Sequence, residues 1–448
     1  MNRAVASLLL CLPLWTAAQN PIIHDQFTAD PTARVFNGRV YLYPSHDIPA
    51  PEGARQNWFC MADYHVFSSD NLVDWTDHGV IVTQNKVPWV RPDSYSMWAP
   101  DCVCKDGRYY FYFPSAPREG RGFAVGVATA DRPEGPFVCE EKPIEGVTGI
   151  DPCVLIDDDG QSYIYWAGGP MRGARLKGNM KELDGEAQMM EGLPEGFKEG
   201  PYAFKREGLY YLTFPWVRKE NGTETLAYAT SRNPLGPWTF RGIIMAESPV
   251  ACWTNHHSIV EFQGQWYLFY HHNDYSPAFD KLRAARIDKL RFNADGTIRE
   301  VVPTLRGVGV TRATDHIEVD RYSRLDMGCS IAFVDTLDTF RGWSVRLPKK
   351  GSSAEYDDVD FSMIQHGYLV ARVRADANTG FSVRERNAKG RVMARVKVMC
   401  TGEGQFRRDY RGRWLTVTAP LAYVPKGVSG VCVVCEGEAV DVDWIQLR

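Results

Sequence analysis

Asp30-Pro31 leads into Asn37-Gly38-Arg39-Val40-Tyr41-Leu42-Tyr43, and the same plan returns four more times along the first two thirds of the chain. Pro100-Asp101 precedes Asp106-Gly107-Arg108-Tyr109-Tyr110-Phe111-Tyr112, and Asp151-Pro152 precedes Asp159-Gly160-Gln161-Ser162-Tyr163-Ile164-Tyr165. Glu199-Gly200-Pro201 precedes Glu207-Gly208-Leu209-Tyr210-Tyr211-Leu212, and His256-His257-Ser258 precedes Gln263-Gly264-Gln265-Trp266-Tyr267-Leu268-Phe269-Tyr270. Each copy is a short apolar strand, a tight turn containing Gly and an aromatic-rich second strand, which is a β-hairpin signal. Hairpin repeats at this spacing predict a β-propeller, and the number of copies predicts five blades, each sending its first strand to the central axis.

A second unit recurs downstream of the hairpins, in Ala128-Thr129-Ala130 with Pro133-Glu134-Gly135-Pro136-Phe137 and in Ala229-Thr230-Ser231 with Pro234-Leu235-Gly236-Pro237-Trp238. Its proline turn ends a strand, and the aromatic that follows is placed to pack between blades. Near residue 311 the pattern changes. Ile317–Tyr322, Gly367–Val373 and Val440–Leu447 alternate apolar with polar residues, which predicts a C-terminal β-sandwich, jelly-roll-like, over 312–448 after a propeller over 19–311. The fold class is therefore all-β.

The chain has 448 residues, 44% of them hydrophobic, enough for two domains with sizeable cores, and its formal net charge of -4 supplies no footprint for nucleic acid. Arg3, the apolar run Ala4–Trp15 and Thr16-Ala17-Ala18 predict a cleaved secretory signal over residues 1–18, hence a periplasmic or secreted protein, and no stretch reaches membrane-spanning length. The cysteines lack paired zinc-ribbon spacing, Asn221-Gly222-Thr223 is too short a pattern to establish glycosylation, and Asp157-Asp158-Asp159 reads as a solvated hairpin tip. Aromatics make up 12% of the chain, an excess that suits stacking on sugar faces as well as packing between blades.

Three repeats start with a carboxylate, Asp30, Asp151 and Glu199, and starts of inner strands from different blades converge on one mouth of a propeller. Splitting a glycosidic bond needs one carboxylic acid to protonate the leaving oxygen and one carboxylate to activate water. Asp101 stands one residue later in its repeat and is not assigned to catalysis. Trp98 and Trp216 are placed to line the mouth and His46 to sit at its rim, whereas Trp58, Trp75, Trp238 and Trp266 read as blade packing. In His256-His257 and His271-His272, neighbours point to opposite sheet faces, so one of each pair at most can share a site.

The ordered motifs Ala29-Asp30-Pro31, Trp98-Ala99-Pro100-Asp101, Gly149-Ile150-Asp151-Pro152, Lys198-Glu199-Gly200-Pro201 and Asn255-His256-His257-Ser258 resemble glycoside hydrolase family 43, over roughly residues 22–303. The tail resembles a family 6 carbohydrate-binding module through Gly342-Trp343, Ala354-Glu355-Tyr356 and Val442-Asp443-Trp444-Ile445. The first resemblance implies a five-bladed inverting hydrolase of arabinose- or xylose-containing oligosaccharides and polysaccharides, with Asp30 as general base, Glu199 as general acid and Asp151 as the carboxylate that raises the acid's pKa. It also implies that Arg283 reaches a sugar hydroxyl and that His256 contacts a structural calcium ion through water, with no cofactor required for catalysis. An exo-acting α-L-arabinofuranosidase or β-xylosidase is the expected activity. A galactofuranosidase or galactan hydrolase of the same fold, or a non-catalytic sugar-binding propeller, are the alternatives. Most tail aromatics read as core, so the tail is expected to pack on the propeller and bind sugar weakly or not at all; Trp343 or Tyr356 as a sugar platform is the other reading.

Overall fold

A computed structural model describes residues 20–248, 252–364, 367–401 and 409–448. The expected signal segment lies outside the described residues. Nineteen strands follow one another as five antiparallel sheets, called blades I to V here. Their first strands are Thr28–Phe36, Asp101–Lys105, Ile150–Ile156, Tyr202–Arg206 and His257–Phe262. Each of these touches the first strand of the next blade and the fifth returns to the first, so the inner strands close a ring, the arrangement of a five-bladed propeller. Among the described residues blades I to IV have four strands and blade V has three.

The repeated aromatics are what joins one blade to the next. Tyr43 and Tyr64 of blade I bury against Phe111 and Phe113 of blade II. Tyr112 and Val127 of blade II meet Val154 and Trp166 of blade III. Tyr165, Phe204, Tyr211 and Leu268 continue the packing through blades III, IV and V, and Leu42, Phe67, Phe269 and Ile287 join blade V to blade I. Each such ring stabilises by roughly 1.5–3 kcal/mol when fully buried. A buried tyrosine hydroxyl also needs an acceptor. Tyr43 donates to Pro133 O at 2.7 Å and Tyr165 to Pro234 O at 2.6 Å, so the proline turn of one blade receives the tyrosine of the blade before it.

Ring closure uses the start of the described chain. Ile22 N–H donates to Ala285 O at 2.9 Å, and the Asn20 side chain donates to Ile287 O at 2.9 Å while accepting Ile287 N–H at 2.8 Å. Residues 20–22 thereby lie along Ala284–Leu290, the outer strand of blade V.

After residue 310 the strands form two further sheets. Ser353–Asp360, Val428–Cys435, Thr379–Glu385 and Val392–Val398 belong to one; Trp343–Leu347, Val440–Leu447, Tyr368–Arg374 and Leu415–Pro420 belong to the other. Tyr356, Phe381 and Val433 of the first share a core with Val345, Leu369 and Ile445 of the second. The run Ile317–Tyr322, expected as a strand, pairs only at Ile317–Glu318. Arg321 and Asp320 turn aside from it to the junction with blade V, where Arg321 donates to Asn20 O and lies over the Trp343 ring, itself stacked at 5.0 Å on Tyr275.

Asp158 and Asp159 are exposed at the hairpin tip, as expected, and Lys205 of blade IV bridges Asp157 and Asp158 at 2.6 and 2.8 Å. The ten described cysteines are free thiols. Among the described residues no helix is long and apolar enough to cross a membrane.

Candidate active site

The repeat begins with an acid before proline because the backbone there is bent. Asp30 and Asp151 have φ of 47° and 57°, and the register of each inner strand against its neighbour shifts at that point. A bulge of this kind re-aims one side chain, and a non-glycine residue in the left-handed region costs roughly 1–3 kcal/mol. In blade IV the left-handed position is Gly200, at φ 59°, where a Cβ would come within 2.9 Å of the Pro215 ring. Glu199 therefore stands one residue further from its proline than the two aspartates do. It still reaches the same pocket, whose longer side chain makes up the difference.

That pocket, about 170 Å³, is lined by Asp30, Asp151, Glu199, Arg283 and His256, and walled by Trp58, Phe59, Trp98 and Trp253. Asp30 is 5% exposed and Asp151 is 4% exposed. Arg283 Nη1 donates to Asp30 Oδ1 at 2.8 Å, and Arg283 Nε and Nη2 each reach Asp47 at 2.9 Å. His271 Nδ1 accepts the Asp30 N–H at 3.1 Å. Asp151 Oδ2 accepts Gly200 N–H at 2.9 Å, tying blade III to the acid's own turn.

Environment drives the carboxyls apart. Burial pushes the Asp30 carboxyl up, but the charge of Arg283 outweighs it and holds the group below its ordinary value. Glu199 is raised by burial and then by the charge of Asp30. Asp151 is raised by burial and by Glu199, so these two form a pair that retains a proton above the usual carboxylate range. The result is one ionised carboxylate facing a protonated partner, the division of labour an acid–base pair requires. Burial keeps His256 and His271 below the ordinary histidine value, hence neutral.

Several expected positions change. Trp216 does not line the pocket: its Nε1 donates to Glu195 O at 2.8 Å and its ring packs on Phe240 at 5.1 Å, because strand alternation turns Pro215, not Trp216, toward the turn of Gly200. His46 is also outside it, bonded through Nδ1 to Asp63 at 2.7 Å, while its neighbour Asp47 takes the inward place. Arg283 faces the pocket, but its guanidinium is committed to Asp30 and Asp47. Trp58, read as blade packing, is a wall of the pocket, and Trp98 is where it was expected. Asp101 lies away from the pocket and accepts from Arg34 at 2.7 Å and from Val154 N–H at 2.6 Å, joining blades I, II and III. His257 turns away to Thr213 Oγ1 at 2.5 Å, as the opposite-face argument requires.

Glu224, at the start of Glu224–Ser231, was not read from the sequence. It is buried, accepts Asn255 N–H at 2.7 Å, and is pushed up to about 8 by burial and by Glu199. No turn or repeat marks it, since its importance comes from the segment 253–256 folding back over it. Beside His256, Asn255 Oδ1 and Thr254 Oγ1 are buried without a hydrogen-bond partner. Orphaned oxygens next to a carboxylate cluster suit a hard cation and its water shell, so the donor set fits the calcium expected there.

The family model for glycosyl hydrolases family 43 matches residues 18–298. The chain belongs to that family. The family 43 chain is 37% identical over 326 residues to a xylosidase/arabinosidase 43A of Humicola insolens, covering 62% of itself and 98% of that protein. It is similar to the crystal structure of a family 43 β-xylosidase/α-arabinofuranosidase from a compost microbial metagenome, in complex with xylotriose, with 37% identity, a TM-score of 0.57 and coverage of 64% of this chain and 98% of that one. An arabinoxylan arabinofuranohydrolase structure from Bacillus subtilis, in complex with cellotetraose, aligns over 97% of this chain and 99% of its own, at 25% identity and a TM-score of 0.56. The family 43 match thus falls on the five blades, and the last similarity runs on through the tail.

Proposed function

We propose that this family 43 glycoside hydrolase removes terminal arabinofuranosyl or xylosyl units from plant-type oligosaccharides and polysaccharides with inversion at the anomeric carbon. The observation that carries this reading is the split between an ionised Asp30 clamped by Arg283 and a proton-retaining Asp151–Glu199 pair in one small aromatic-walled pocket. A 170 Å³ pocket is sized for a single sugar unit, which favours exo action.

In this mechanism Asp30, low in pKa, takes a proton from the attacking water. Glu199 gives its proton to the leaving oxygen, and Asp151 keeps that proton on the pair until it is needed. Blades I and IV, which carry base and acid, are not neighbours in the ring, leaving space for the water that inversion needs. Phe59, Trp98 and Trp253 stack on the sugar's C–H faces. His256, Asn255 and Thr254 would hold a calcium ion, which would supply a fixed positive charge near the carboxylates.

We further assign residues 19–311 to the catalytic propeller and 312–448 to a β-sandwich of carbohydrate-binding-module type, in a protein exported by the segment 1–18. Trp343 and Tyr356 are buried, which supports a structural tail over a sugar platform.

The test is hydrolysis of a panel of nitrophenyl glycosides by the wild type, Asp30→Asn and Glu199→Gln. Release from arabinofuranoside or xyloside is expected, falling by about 10²–10⁴-fold or more in each variant. Near-wild-type rates in either variant, or preference for a galactofuranoside, refute the reading. NMR of the first-formed sugar anomer tests inversion.

A further inference from the structure

We propose that His46, Asp63 and His65 form a binding site for a divalent transition-metal ion, zinc by preference, on the face of blade I behind the active-site pocket. Among the described residues, these three offer ligand atoms that all lie within 4.8 Å of one another. They come from two paired strands, Arg39–Asp47 and Met61–Ser69, so the sheet itself fixes their spacing. Antiparallel pairing of Ser45 with Tyr64 puts His46 on the same side as Asp63 and His65, and strand alternation sends its neighbour Asp47 to Arg283.

The second layer of the site is already in place. Asp77, on the next strand, accepts from Nδ1 of His65 at 3.1 Å through both oxygens, which leaves Nε2 with its lone pair free. Gln26 Nε2 and Gly79 N–H donate to Asp77 at 3.2 and 2.7 Å and hold that carboxylate in turn. A carboxylate behind an imidazole is the arrangement that orients metal-bound histidines. The two imidazoles meet edge to face at 5.1 Å with no hydrogen bond between them, and His65 is stacked on Phe67 at 5.9 Å, which restricts its ring. The four side chains are half-buried, reachable by an ion from solvent.

Two nitrogens and one carboxylate select zinc and its neighbours in the first transition row over calcium, which takes oxygen ligands. Water completes the coordination. The site is thus separate from the calcium assigned beside His256, and its occupancy does not depend on the proposed hydrolytic activity. One peptide bond separates His46 from Asp47, so an ion here braces the strand that holds Arg283.

The experiment is calorimetric titration of chelator-stripped full-length protein with zinc chloride. One zinc per chain is expected, lost in His46→Ala and in His65→Gln and weakened about 10–100-fold in Asp77→Asn. Circular dichroism verifies that each variant is folded, and His65→Gln keeps the ring's volume where His65→Ala would not. Cobalt(II) substitution should give visible d–d absorption that disappears in the same variants, and excess calcium should displace neither ion. Absence of stoichiometric zinc binding in the wild type, unchanged binding in a folded His65→Gln protein, or displacement by calcium each overturns the proposal.

Discussion

Replacing Arg283 by methionine keeps an unbranched, flexible side chain and removes the charge that Asp30 and Asp47 share. Both carboxylates are buried, and among the described residues neither has a second arginine or lysine within bonding distance. Breaking a buried ion pair by removing one partner costs about 3–5 kcal/mol. At about 2–4 °C per kcal/mol for a domain of this size, the melting temperature should fall by on the order of 10 °C at neutral pH. The pH dependence follows with a definite sign. In the wild type Asp30 titrates below its ordinary value, so it adds stability above the unfolded carboxylate pKa, and that stability is lost as pH falls through the lower folded value. Without Arg283, burial dominates and Asp30 titrates above its ordinary value, so the destabilisation is greatest at neutral pH and relieved on acidification. The same shift moves the acidic limb of kcat/KM upward, because the base must be ionised to act. Differential scanning calorimetry and a pH–rate profile measure both consequences. An acidic limb that stays in place would show that Arg283 does not set the ionisation of Asp30.

Asp151→Asn removes one member of the proton-retaining pair, so the alkaline limb should move to lower pH, read from kcat/KM against pH; an unmoved limb removes Asp151 from the acid's control. Trp343→Ala at the junction should cost about 3–5 kcal/mol, seen as a lower denaturant midpoint with kcat unchanged at 25 °C, since the ring is buried between Tyr275 and Arg321 and away from the pocket. A midpoint within experimental error of wild type would mean that the junction contributes little to stability.

The ring of blades was legible because hairpin turns and inward acids repeat at local sequence positions, where glycine and proline mark the backbone directly. Asp30, Asp151 and Glu199 were found for that reason. What failed was parity and distance. His46 and Asp47 are neighbours in one strand and must point to opposite faces, and no local signal says which of the two turns to the axis. Trp216 and Trp58 exchanged roles because strand alternation turns one away, while the loop carrying the other folds over the mouth. Glu224 and His271 matter through contacts with residues far along the chain, and a single sequence does not display such contacts.

The charge balance of the pocket joins residues that are synthesised far apart. Arg283 follows Asp30 by 253 positions, and Asn20 reaches Ile287 across 267. Until the fifth blade has been made, Asp30 has no guanidinium and the first blade has no neighbour on its open side. An emerging chain can stack early blades in order, yet Asp30, the proposed base, remains a carboxylate without its counter-ion. Completion of the ring and arming of the catalytic pocket are thus a single event, and a chain truncated before Arg283 is expected to be both open and inactive.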